Sequence, residues 1–449
     1  MSSRKFDVVV VGAGTAGAYA AYVLASNDLR VALMDRKSES EIGLKVCGDA
    51  IGKHHFDNLN LSYPSGPELE GIFKGVKIVS PNEEHSIIVK GDGFAINRHA
   101  FGQRLLKIAL NAGAEFYGRM HAVNPIVRGN YVVGVRAANL NTGLEEVFKA
   151  KVTIDATGFA SVIRSKLTGW WISERVKPEE VNVCYREILE TKEKFDTTYA
   201  VIYLSKKIAP GGYWWLFPKK SRLVNVGLGV QPVEGAPSPV NQYRKYIAVR
   251  DELRDSKVID GGGGVVPTRR PIHCPVGNGI LAIGDAACTC NPIHGGGIGP
   301  SMISAKHAAE IIVEILSGNQ EPSIRNLWEY TIRYLRDYGI KQTSLDIFRM
   351  FLQRLSDEDL NFVFEKQVIT GEEVNAVGRT GELRVSVVRR LGKALRLISR
   401  PTILFRLKTV KEYMGKIAEL YEKYPSSPEK FISWKSLVEK LINEYVSKL

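Results

Sequence analysis

The chain has 449 residues, of which 44% are hydrophobic and 24% charged. That is enough apolar material for a large core, and it excludes global disorder, collagen-like repeats and small disulfide scaffolds. Lys and Arg number 61 against 48 Asp and Glu, a formal charge of +13, which favours an anionic partner: nucleic acid, anionic lipid or an acidic protein.

Residues 6–11 read FDVVVV, the β-branched run of a buried parallel strand. Gly12-Ala13-Gly14-Thr15-Ala16-Gly17 follows at once, then a helical AYAAYVLAS, then a second strand over Val31–Met34 that ends in Asp35. In this strand–turn–helix–strand context a GxGxxG motif binds a dinucleotide. Gly12 allows the tight turn, Gly14 lets a pyrophosphate approach, and Gly17 lets helix and strand pack closely. The helix start offers free N–H groups to phosphates, and Asp35 can accept from ribose hydroxyls.

Next comes Lys45-Val-Cys47-Gly48-Asp49-Ala50, and then Asn97-Arg98-His-Ala-Phe101 at a helix start. Mid-chain lies Pro210-Gly-Gly-Tyr213-Trp-Trp215-Leu-Phe217-Pro218. At the strand period Tyr213, Trp215 and Phe217 share one face, while Trp214 and Leu216 take the other. The aromatic face could line a pocket for a polyprenyl chain, which offers no hydrogen bonds, or it could be an ordinary core strand. A further strand ends in Gly284-Asp285. It leads through Asn291-Pro292-Ile293-His294-Gly295-Gly296-Gly297-Ile298-Gly299 into a helix over residues 301–316.

The first turn together with the distant strand–GD–P–GGG–helix resembles the p-hydroxybenzoate-hydroxylase-type FAD superfamily. The Cys-Gly-Asp loop and the Tyr-x-Trp-x-Phe-Pro segment resemble the geranylgeranyl reductase family, including the archaeal digeranylgeranylglycerophospholipid reductases. The resemblance implies FAD, held by Gly12, Ala13, Gly14, Ala16, Gly17, Asp35, Arg36, Cys47, Gly48, Arg98, Ala122, Asp285, Gly296, Gly297 and Ile298. It implies a substrate wall of Tyr213, Trp215 and Phe217. It places the glycine-rich helix start at the N1–C2=O edge of the flavin, where reduction leaves negative charge that a helix N-terminus stabilises. The superfamily's Asp-Gly stretch has its counterpart in Asp155-Ala156-Thr157-Gly158, where two residues intervene.

The implied activity is saturation of isolated C=C bonds in geranylgeranyl lipids. Such a bond is unpolarised, so one carbon must receive a proton while flavin N5 gives hydride to the other. The loop with Cys47 is expected to lie over the isoalloxazine and to help place or relay that proton, unless Cys47 is simply a buried thiol, and Asp49 and His294 are candidates for tuning. Electrons would come from ferredoxin or NAD(P)H. Two rivals remain: an FAD monooxygenase of the same fold, and a non-catalytic prenyl-binding chaperone.

The expected architecture is α/β (α+β overall). A Rossmann-like FAD-binding domain (residues 1–75, 97–165 and 265–330) carries an antiparallel-sheet substrate domain (76–96 and 166–264) and a C-terminal helical region (331–449). Five cysteines, Cys47, Cys184, Cys274, Cys288 and Cys290, fit neither a disulfide framework nor a four-ligand zinc site, so no metal is expected. The amino terminus lacks the order of a signal peptide, and no stretch approaches the ~20 apolar residues of a membrane span. A cytoplasmic protein is expected. Residues 379–449 hold 16 Lys and Arg against 7 Asp and Glu. Residues 383–399 set Leu383, Val387, Leu391, Leu395 and Ile398 on one stripe flanked by arginines. Such a helix could lie on anionic lipid, giving the expected peripheral attachment to the membrane, or it could be an ordinary packed helix with a solvated face. Nucleic acid is set aside because no binding motif accompanies the charge.

Overall fold

The computed structural model describes residues 3–383 and 400–449. In chain order its strands are β1 (Ser3–Val11), β2 (Val31–Met34), β3 (Ala50–Gly52), β4 (Leu69–Val79), β5 (Ser86–Ile96), β6 (Glu115–Tyr117), β7 (Met120–Arg128), β8 (Tyr131–Asn139), β9 (Glu145–Asp155), β10 (Asn182–Glu190), β11 (Ala200–Tyr203), β12 (Trp214–Lys220), β13 (Leu223–Val230), β14 (Lys257–Val266), β15 (Val276–Gly277) and β16 (Ile280–Ala282).

They form two eight-stranded sheets. In the first, β16, β9, β1, β2 and β6 run parallel, as the apolar run of β1 requires. Val8, Val9 and Val10 of β1 are fully buried. Helix α1 (Thr15–Ala25) leaves β1 through the glycine turn. Gly12 has φ +101°, and a Cβ on Gly17 would fall 1.8 Å from the Gly12 carbonyl oxygen, so both positions exclude a side chain. The Asp155 carboxylate accepts from the N–H groups of Thr157, Ile163 and Arg164. The Asp155–Gly158 segment is thereby folded on itself as a turn behind Gly12.

The second sheet runs β14-β10-β13-β12-β11-β4-β5-β3. It is antiparallel except at β4–β11, which pair in parallel. The boundary expected at residues 75 and 76 falls inside β4. β3 and all of β4 belong to this sheet rather than the first, because Ala50–Gly52 pairs with β5 and Leu69–Val79 with β5 and β11. The loop carrying Cys47 therefore crosses from one sheet to the other.

The remaining helices used below are α2 (His54–Leu59), α3 (Arg98–Asn111), α4 (Pro239–Gln242), α5 (Ile298–Ser317), α6 (Ile324–Tyr334), α7 (Ile340–Leu352), α8 (Asp357–Glu365), α9 (Gly371–Thr380), α10 (Pro401–Glu422) and α11 (Phe431–Ser447). Of the basic helix expected over 383–399, residues 384–399 lie outside the described residues. A buried ion network fastens α7 to the chain where it re-enters the first sheet. Arg269 pairs with Glu174 at 2.7 Å and Glu180 at 2.9 Å, and Arg270 with Asp346 at 3.0 Å, while Arg349 closes on Asp346 at 2.8 Å. Gln342 adds hydrogen bonds to the carbonyls of Arg269, Cys288 and Cys290. Every charge in this network has a partner, as burial demands.

Candidate active site

At the dinucleotide end, Gly14 opens α1 and an added Cβ there would meet nothing within 4 Å. Arg98, at the start of α3, is buried and reaches toward the same turn. Its Nη2 donates to Thr15 Oγ1 at 2.9 Å, while Nε and Nη1 have no partner. A buried guanidinium with two free N–H groups beside a helix N-terminus and an open glycine is a fit for a pyrophosphate. Replacing Arg98 by Met should weaken FAD binding roughly tenfold to hundredfold, the worth of one or two hydrogen bonds to a charged group, as read by fluorescence titration. Asp35 ends β2, and its carboxylate accepts from the Ala13 and Lys37 N–H groups at 2.8 and 2.9 Å. Arg36 beside it is exposed, whereas Ala122 on β7 is buried against the first sheet and does not reach the cavity.

The Cys47 loop is clamped to the second sheet from below. Asn225 of β13 accepts from the Trp215 indole N–H at 2.9 Å and donates to the Cys47 carbonyl at 2.8 Å and to Asp49 at 3.0 Å. Lys219 of β12 bridges Asp49 at 2.7 Å and Glu70 at 2.6 Å. Asp49, at φ +61°, thus anchors the loop instead of standing free as an acid or base. The Cys47 Sγ accepts from the Asp49 N–H at 3.3 Å, which leaves its S–H free to donate. Asn225 and Lys219 were missed in the sequence; the one available signal was an Asn inside the apolar run of β13.

Tyr213, Trp215 and Phe217 pack on one face of the second sheet, with Trp214 and Leu216 in the opposite core, as the alternation predicts. The Phe217 ring lies 3.2 Å from where a Cβ on Gly48 would sit. The Tyr213 hydroxyl donates to the His294 carbonyl at 2.6 Å, which ties the aromatic wall to the glycine-rich loop.

That loop, residues 294–297, delivers the N-terminus of α5 into the cavity. The His294 residue is exposed to the open space of the cavity, with protein crowded around it. Burial, and then nearby Lys341, pushes its pKa down to about 4, so the imidazole is neutral. Asp285 lies beside Gly297 and pairs with Lys45 at 3.4 Å.

One cavity of about 2470 Å³ joins these parts. Gly14, Arg98, Cys47, Trp215, Asp285 and His294 all line it, while Asp35, Arg36 and Ala122 do not. Ordinary small-molecule sites measure roughly 300–1,000 Å³, so it has room for a dinucleotide and a long second ligand together. Beyond the aromatic wall it continues between the second sheet and the C-terminal helices, past Phe348 and Phe351 of α7, Val363 of α8, and Leu404 and Lys408 of α10. The C-terminal region is therefore a wall of the site.

A glycine-rich dinucleotide turn, a glycine-rich helix start and a large, mainly apolar cavity define an FAD-dependent oxidoreductase. The family description "Geranylgeranyl reductase catalytic domain" matches residues 180–266, and "Glucose inhibited division protein A" matches residues 7–59. The chain is 41% identical to the digeranylgeranylglycerophospholipid reductase of Sulfolobus acidocaldarius across 100% of both proteins. It is 32% identical to that of Methanothrix thermoacetophila, covering 85% of this chain and 96% of that protein. Among solved structures, a geranylgeranyl bacteriochlorophyll reductase-like protein from Thermoplasma acidophilum superposes with a TM-score of 0.77 at 23% identity, covering 91% of this chain and 100% of that one. The FAD-dependent chondrochloren halogenase CndH gives a TM-score of 0.62 at 18% identity, over 95% of this chain and 99% of that one. The chain belongs to the digeranylgeranylglycerophospholipid reductase family, and it is an FAD-dependent oxidoreductase acting on C=C bonds.

Proposed function

We propose that the chain saturates the geranylgeranyl chains of digeranylgeranylglycerophospholipids. The observation that carries this reading is the continuous, mainly apolar cavity from Cys47, past Trp215 and Phe217, to the helices α7–α10. A long hydrocarbon offers shape and area but no hydrogen bonds, and Trp215, Phe217, Phe348 and Phe351 give it apolar wall to lie against.

Bound FAD, once reduced, supplies hydride. Cys47, which lines the same cavity, protonates the second alkene carbon, and the thiolate left behind is reprotonated from solvent. Tyr213, Trp215 and Phe217 hold the chain and exclude water. Asn225 and Lys219 keep the Cys47 loop in place. The electrons enter from ferredoxin or NAD(P)H.

Peripheral membrane attachment is part of the same reading. Among the described residues no helix is long and apolar enough to cross a membrane. Phe405 of α10 is 68% exposed next to Arg406, at the end of the helix that lines the cavity. An exposed ring beside a cation suits an anionic lipid surface.

Dithionite-reduced holoenzyme, incubated with geranylgeranyl lipids under strict anaerobiosis, should yield products two hydrogens heavier per bond by mass spectrometry. Products that form only with oxygen would identify a monooxygenase, and a purified protein without flavin absorbance would point to a prenyl-binding chaperone.

A further inference from the structure

His54 and His55 open α2 with their rings 4.0 Å apart. The His55 ring lies across Gly299 in the first turn of α5: a Cβ on Gly299 would fall 2.2 Å from His55 Nδ1. That Nδ1 is buried and has no hydrogen-bond partner. His294 flanks the same helix start. Its Nδ1 accepts from the Gly296 N–H at 3.1 Å, so Nε2 carries the ring proton. Lys341 of α7 acts on His54, His55 and His294, while Arg379 of α9 and Asp57 of α2 act on His54. Asp57 itself is paired with Lys53 at 3.0 Å, and Asp337, the carboxylate acting on Lys341, is bonded to His307 at 2.8 Å.

Burial first, and neighbouring positive groups second, hold the His55 and His294 rings neutral. A negative charge arriving at the α5 N-terminus reverses that preference. An anion held at that helix start raises the pKa of both neighbouring rings, the direction that favours their protonation.

We propose that His55 and His294 form a charge-compensating proton site for the flavin. On reduction the flavin takes two electrons from an external donor and one proton, and becomes an anion. A second proton, from solvent, settles on one of the two imidazoles: on Nδ1 of His55, which has no partner, or on Nδ1 of His294, which then gives up the Gly296 N–H. When hydride leaves, flavin and imidazole both return to neutral and that proton goes back to solvent. The proposal rests on FAD occupancy and not on the prenyl substrate, so its test contains no lipid.

The midpoint potential of the holoenzyme, followed by dye equilibration between pH 5 and 7, should show two protons taken up per two electrons. His55→Asn combined with His294→Asn should bring that to one. A wild-type uptake of one proton overturns the proposal, and so does an uptake of two in the double variant, which would place the second proton on the flavin. Should the variants fail to hold FAD, ¹⁵N-histidine spectra of the wild-type holoenzyme at pH 6 decide the matter. A protonated ring at His55 or His294 must appear on reduction, and its absence refutes the site.

Discussion

Lys219→Met is expected to destabilise the protein by about 3–5 kcal/mol, the usual consequence of removing one partner from a buried ion pair. Lys219 and Asp49 are each 3% exposed, and Glu70 sits 2.6 Å away on the other side of the ammonium. Without Lys219, two carboxylates remain in a dry interior with Asn225 as the one neutral donor to Asp49. The loop that carries Cys47 should loosen with it. A lowered urea midpoint of the holoenzyme would register the first effect, and easier FAD release the second. Adding Asp49→Asn and Glu70→Gln should restore much of the loss, because it removes the orphaned charges. A Lys219→Met protein as stable as the parent would mean that water reaches this cluster.

Cys47→Ala should lower the rate of prenyl reduction at least ~100-fold, the lower range for a positioned acid in the transition state. FAD binding should survive, because the clamp from Asn225 holds the Cys47 backbone carbonyl and not its side chain. Dithionite should still reduce the flavin, and the block should appear only at product formation. Single-turnover mixing of the reduced variant with a geranylgeranyl lipid separates these steps. Flavin reoxidation at the parental rate would move the proton donor elsewhere in the cavity.

Both predictions meet at one short loop, and the loop shows where the sequence was readable. Cys47, Gly48 and Asp49 stand in a contiguous motif, as do Gly12 to Gly17, Tyr213 to Pro218, and Asp285 to Ile298. Each motif is local: a turn, a strand face or a helix start whose chemistry follows from neighbours a few residues away. The one-face alternation of Tyr213, Trp215 and Phe217 is of this kind, because strand geometry alone separates them from Trp214 and Leu216.

The sequence by itself determined the nucleotide turn, the aromatic face of one strand and the glycine-rich helix start, and its resemblance to a flavoprotein family supplied the cofactor class. Only the tertiary structure decided what holds them. Lys219 meets Asp49 across 170 residues and Asn225 meets Cys47 across 178, and no spacing rule marks such pairs. The same applies to α7–α10 as a cavity wall, to β3 and β4 in the second sheet, and to His55 against Gly299. The physical reason is that a buried charge or a cavity wall is defined by what the rest of the chain folds onto it, and long-range closure leaves no periodic trace in either segment.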